Sequence, residues 1–152
     1  MPVVLNEWIF HDIRGENGLV AQSQSAELLQ AFQRGPDAIV VLRESRWMDK
    51  AYALMTVSAT PVRILSQFLR LAILLDPAKC HFVEQDAIQP LPPELAQQVP
   101  DDDAYLFQTA LAGGADVIVT ADTRLVERVT NAHERGIRLR LREEFIAEFL
   151  AG

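Results

Sequence analysis

A single cysteine, Cys80, rules out an internal disulfide. No charged-then-apolar leader opens the chain, and the two features together make a reducing cytoplasm the expected compartment. Long apolar runs are missing as well, because charges interrupt each one before the ~18 residues that an ordinary membrane-spanning helix requires. Positive charge is scarce. There are 14 Lys and Arg against 21 Asp and Glu, and the formal net charge of -7 argues against broad electrostatic capture of nucleic acid. No glycine-rich phosphate loop stands between a strand and a helix, since the pair Gly113-Gly114 follows a helical run. Nothing has the form of a serine or cysteine nucleophile elbow. Repeats, low-complexity tracts and linker-like composition are absent too. Residues 1–152, with 49% hydrophobic content, are therefore expected to form one domain with a sizeable core.

The informative stretch is Pro100 to Asp122, PDDDAYLFQTALAGGADVIVTAD. Asp101, Asp102 and Asp103 precede a run in which Ala104, Phe107, Ala110 and Leu111 recur at helical spacing, so one of the three is expected to cap a helix at its positive end. Gly113 and Gly114 are expected to stop it. Ala115 to Thr120 then reads as a strand buried on both faces, delivering Thr120 and Asp122 at its carboxyl end. In open α/β sheets that end is where ligands bind.

The remaining chain supplies the partners of this unit. Pro2 to Asn6 reads as a first buried strand, Glu7 to Ile13 as a helical turn, and Ser23 to Arg34 as a helix with Ala26, Leu29, Gln30 and Phe32 around its axis. Ala38 to Leu42 is a second strand, Ser45 to Met55 a helix, and Pro61 to Leu75 a stronger one. In the latter Val62, Leu65, Leu69 and Ala72 form one stripe, with Ile64, Phe68 and Leu71 beside it. Cys80 to Glu84 makes a third strand, and the Pro-rich segment Pro90 to Pro100 a connection with one turn at Glu94 to Gln98. Thr123 to Arg135 is expected to be helical up to Gly136, with Leu125, Val126 and Val129 inward. Ile137 to Leu141 is the last strand and Glu143 to Leu150 the last helix. Strands alternating with helices at this spacing predict a doubly wound parallel α/β sheet.

Several residues carry a structural reading beside any chemical one. Asp102 or Asp103 can serve as an N-cap, and Asp122 can cap the helix that starts near Thr123. Asp49 reads as a solvated helix residue and Cys80 as packing. The basic groups Arg43, Arg46 and Lys50, and Arg135, Arg138, Arg140 and Arg142, read as solvated surface balancing nearby acids. His11 and Asp12 are adjacent on a helix and point apart, and neither His81 nor His133 completes a metal set.

Asp102-Asp103 ahead of a helix ending Ala110-Leu111-Ala112-Gly113-Gly114-Ala115-Asp116, followed by Val117-Ile118-Val119-Thr120-Ala121-Asp122, resembles the second half of a PIN domain, the nuclease fold of many VapC-type toxins. Val3-Val4-Leu5-Asn6 resembles that family's first strand, and Arg142-Glu143-Glu144-Phe145 its usual C-terminal end. The resemblance implies a three-layer α/β/α domain whose five-stranded parallel sheet has the order 3-2-1-4-5. It also implies metal-dependent cleavage of RNA by Mg²⁺ or Mn²⁺ held on carboxylates, with RNA, an antitoxin or other protein, and a second copy of the chain as partners.

In that family a first-strand Asp, a Glu on a middle helix, an Asp at the helix start and the Asp of the T-x-D motif form the acidic cluster. By match of position Asp103 and Asp122 take the last two roles, Asp102 assists, and Thr120 is a hydrogen-bonding neighbour. Asn6 stands where the first Asp is expected, bringing an amide oxygen without charge. For the middle helix the candidates are Glu44 and Asp49. Glu7 could compensate only by facing the cleft, which strand alternation disfavours. The alternative is a PIN-fold module that has lost catalysis and binds RNA or protein. A third reading, a receiver-type phosphoacceptor domain, would use Asn6-Glu7 and Glu84-Gln85-Asp86.

Overall fold

Five short strands, β1 (Pro2–Leu5), β2 (Ala38–Leu42), β3 (Cys80–Val83), β4 (Val117–Thr120) and β5 (Arg138–Leu141), pair in parallel throughout and in the order β3-β2-β1-β4-β5. They are seen in a computed structural model that describes residues 1–152. The order is the 3-2-1-4-5 that the resemblance implies, and the parallel pairing is that expected from the alternation of strands and helices. β2 and β4 are buried along their whole length, which is why they read as unbroken apolar runs rather than alternating ones.

Helices cover both faces. On one lie α1 (Trp8–Ile13), α2 (Leu19–Arg34), α3 (Arg46–Met55), α4 (Val62–Phe68) with its continuation, and α8 (Arg142–Ala151); they enclose Ile9, Phe10, Phe32, Trp47, Leu54 and Ile146 against Val3, Leu5, Val41 and Val119. On the other lie α5 (Pro93–Ala96), α6 (Ala104–Gly113) and α7 (Thr123–Arg128), whose Leu95, Leu106, Phe107 and Leu125 pack on Val4, Val40 and Ile118. Alternate residues of β1, β2 and β4 thus feed two separate cores. No helix is long and apolar enough to cross a membrane.

Several elements differ from the sequence expectation. α2 starts at Leu19, not Ser23, and its buried face is Gln22, Ser25, Leu28, Leu29 and Phe32. Two of these are polar because Asp12 and the carbonyl of Ile13 lie beneath them: Ser25 donates to Asp12 at 2.8 Å and Gln22 to Ile13 at 2.8 Å. Beyond α4 the chain continues as a π turn, Leu69–Leu74. Val62 and Leu69 are buried as the expected stripe requires, but past Leu69 the wider winding turns Ile73 and Leu74 inward and leaves Leu71 in solvent; Ile64, in α4, is exposed as well.

The expected helix from Thr123 stops at Arg128, because Val129 is extended. There the backbone N–H of Thr130 bonds to the Gln98 side chain at 2.9 Å, and Asn131 donates to the Glu94 carbonyl at 3.1 Å. These ties to the Pro-rich connection replace helical bonds, and only a 3₁₀ turn, Ala132–Arg135, follows. Of the glycine pair, only Gly114 (φ +67°) stops α6; Gly113 is its last residue, and a Cβ there would collide with Val40 and Val83. Its absence lets the end of α6 lie close on the sheet.

Candidate functional site

β1 and β4 are neighbours, and their carboxyl ends open at the point where the winding direction reverses. The N–H of Asn6 still bonds to the Val119 carbonyl at 2.9 Å, so the chain leaves the sheet immediately beside Thr120. A cleft of about 380 Å³ lies there, and Asn6, Asp103, Thr120 and Asp122 all line it.

Thr120 is the hub of the polar floor. Its fully buried hydroxyl accepts from Asn6 Nδ2 at 3.2 Å and from the Asp122 N–H at 3.1 Å. Asn6 Oδ1 in turn accepts from the Glu7 N–H at 2.7 Å, so both ends of this amide are engaged. Asp122 does cap α7: one carboxylate oxygen accepts from the N–H groups of Arg124 at 2.9 Å and Leu125 at 3.3 Å, leaving the second oxygen without a protein partner.

Asp103 behaves differently from the cap expected of it. Asp101–Asp103 form a 3₁₀ turn, and no side chain of the three caps α6. The Asp103 carboxylate is partly buried and makes no hydrogen bond. Burial raises its pKa, and the charge of Asp122 across the cleft raises it further, while Arg46 pulls the other way.

Glu7 faces the cleft, contrary to the strand-alternation argument. β1 ends at Leu5, and Glu7 has helical dihedrals (φ -70°, ψ -6°) at the start of α1, which carries its side chain under the site. It is 8% exposed and bonded by Arg46 Nε at 2.8 Å, Lys50 Nζ at 2.6 Å and the Tyr105 hydroxyl at 2.5 Å. Burial alone would raise this carboxyl, but the bonds from Lys50, Tyr105 and Arg46 outweigh it and hold its pKa below the usual range.

The middle-helix position is therefore cationic. Ser45 caps α3 by accepting from the Met48 N–H at 3.2 Å, and the helix presents Arg46 and Lys50, four apart, to Glu7. Asp49 is exposed and Glu44 (φ +55°) sits exposed in the preceding turn; neither lines the cleft. Asp102 is exposed as well, and it is its backbone carbonyl that meets Arg46, at 3.1 Å. Arg46 and Lys50 thus balance a nearby acid as expected and stay partly exposed, but that acid, Glu7, is buried and is not surface charge. The i,i+4 pair was visible in sequence, but its carboxylate partner lies 39 residues away from Arg46.

His11 lines the cleft and pairs with Glu16, whereas Asp12 points inward and is fully buried. It meets Arg142 at 2.6 Å, Ser25 at 2.8 Å and Asn17 at 2.7 Å, so Arg142 is not surface charge either. A receiver-type site is excluded by topology. That arrangement needs the first and third strands side by side, and here β2 separates β1 from β3. Cys80 is buried packing, its thiol pushed up to about 12 by burial. Comparison of the chain with protein-family models, curated proteins and solved structures gives no match.

Proposed function

We propose that the chain is a metal-dependent ribonuclease of PIN-like type that hydrolyses phosphodiesters in the β1/β4 cleft. The observation that carries this reading is Asp103, a partly buried carboxylate without a hydrogen bond, facing the charge of Asp122 at the switch point. Two repelling carboxylates are a costly arrangement unless a cation joins them. The donor set fits Mg²⁺ or Mn²⁺ of modest affinity, since such ions take one or two carboxylates, waters and substrate phosphates. Asp103 and the free oxygen of Asp122 would hold the ion, with Asn6 Oδ1 as a neutral third donor. When bound, it supplies a water of lowered pKa and charge against the developing anion. Thr120 fixes the relative positions of Asn6 and Asp122. Arg46 and Lys50, each with its side chain partly in solvent, offer donors to the phosphates of an incoming strand.

Melting curves test the ion. Because the folded pKa of Asp103 is raised, the native state binds its proton more readily than the unfolded chain, and stability falls as pH rises through that titration. At neutral pH without metal, Asp103→Asn is therefore expected to melt higher than wild type. Millimolar Mn²⁺ should raise the wild-type Tm by several degrees and the variant's by much less. Equal wild-type melting in Mn²⁺ and in EDTA would sink the reading.

A second reading, a PIN-like module that binds RNA or protein without cutting, is favoured by the full engagement of Asn6 and Glu7. The ion pairs bear on the choice. Arg46→Met with Lys50→Met removes both donors, leaving Glu7 bonded only by Tyr105 and free to turn toward Asp103. In a calorimetric Mn²⁺ titration this double variant is expected to bind about tenfold tighter than wild type, and adding Glu7→Gln should cancel the gain. A gain that persists without the Glu7 charge would mean that only the local field had changed.

A further inference from the structure

A second cavity, of about 530 Å³, shares no lining residue with the cleft. Met48 and Met55 of α3, Leu74 of the π turn and Phe82 of β3 form its apolar walls, together with the buried Cys80. This is the size and lining expected of a small-molecule site. Two large apolar side chains on its border are left in water, Tyr52 at 60% exposure and Leu75 at 61%. The π turn that shapes one wall is a rare conformation that occurs frequently at functional sites.

The charges that line it are of one sign. Arg43 and Arg70 line the cavity and no carboxylate does, in a chain whose net charge is -7. Arg70 is exposed and makes neither an ion pair nor a side-chain hydrogen bond. Arg43 lies 4.1 Å over the Phe82 ring and bonds Glu84 through Nε at 2.7 Å, keeping its terminal nitrogens free. A flat aromatic ligand would find the Phe82 face already covered, whereas a flexible chain suits walls built from methionine. The Cys80 thiol stays neutral at physiological pH, so no anion within the wall competes for the arginines.

We propose that this cavity binds a single-chain amphiphilic carboxylate, its hydrocarbon between Met48, Met55, Leu74 and Phe82 and its head group drawn to Arg43 and Arg70. The site is independent of the chemistry assigned to the cleft. Calorimetric titration of the full chain with octanoate, decanoate and decanol tests it. One saturable site is expected, with decanoate about tenfold tighter than octanoate, as two further buried methylenes require. Decanol should bind at least about tenfold more weakly than decanoate, the worth of a charge-assisted contact. Arg70→Gln, at an exposed position that leaves the fold intact, should bring decanoate down toward decanol without moving decanol itself. Met55→Trp should weaken both by filling the cavity. Three results would overturn the proposal: no saturable decanoate binding, equal affinity for decanol, or unchanged affinity in both Arg70→Gln and Arg43→Gln. Association with phosphatidylglycerol vesicles but not with free decanoate would also overturn it, in favour of a membrane surface.

Discussion

Arg142→Leu is expected to destabilise the protein by about 3–5 kcal/mol, the cost of leaving one member of a buried ion pair behind. The charge left behind is Asp12, 0% exposed, with Ser25 and Asn17 as its only remaining donors. Arg142 is itself 6% exposed and bonds the Gln24 side chain at 3.1 Å as well as Asp12. Three helices, α1, α2 and α8, therefore converge on one charge pair. For a chain of this length the loss corresponds to a fall in Tm of roughly 6–20 °C. Chemical denaturation checks the size, and a double variant checks the cause: Asp12→Leu with Arg142→Leu removes both charges and should recover most of the loss. A double variant as unstable as the single one would show that packing, not an orphaned charge, sets the penalty. The effect reaches the cleft, because α1 begins at Trp8, directly after Asn6 and Glu7. A loosened α1 should blunt the Mn²⁺ response even though Arg142 does not line the cleft.

This pair also marks what the sequence made legible and what it did not. Strand positions were readable because β2 and β4 are buried on both faces, and burial on both faces demands an unbroken apolar run too short for a helix of the core. Asp103, Thr120 and Asp122 were readable because they lie at the ends of one local helix-turn-strand unit, where spacing alone places them. Glu7, Arg46 and Lys50 were not. Their meeting depends on β1 ending one residue before Asn6 and on α3 crossing above it, and neither is a local property. The same holds for Asp12 and Arg142, 130 residues apart. An alternation rule applied to Glu7 failed because the residue is no longer in a strand. Periodicity in Pro61 to Leu75 failed where the π turn inserted extra winding.

The other large effect is expected at Asn6, where the site lacks a charge. In Asn6→Asp one carboxylate oxygen can keep the bond from the Glu7 N–H, and the other replaces Nδ2 beside Thr120. The Thr120 hydroxyl accepts two bonds and donates none, so its proton is free to turn toward the new oxygen, and the substitution should fold. A unit charge about 4 Å from an ion is worth several kcal/mol at an effective dielectric constant of 20, opposed by repulsion from Asp103 and Asp122. A net gain of only ~1.4 kcal/mol would lower the Mn²⁺ needed for half-maximal response tenfold. Asn6→Asp is accordingly expected to cut single-stranded RNA at least about tenfold faster than wild type at limiting Mn²⁺, with wild type slow and favoured by millimolar metal. Asp122→Asn keeps an amide oxygen for capping α7, so it should fold, yet it removes one of the two charged donors and should reduce cleavage to the EDTA background. The three proteins would be compared on one labelled RNA across a Mn²⁺ titration. If Asn6→Asp neither cleaves nor gains affinity for Mn²⁺, the carboxylates of Asp103 and Asp122 are not ion ligands. The cleft, with Arg46 and Lys50 already paired to Glu7, must then be read as a binding surface.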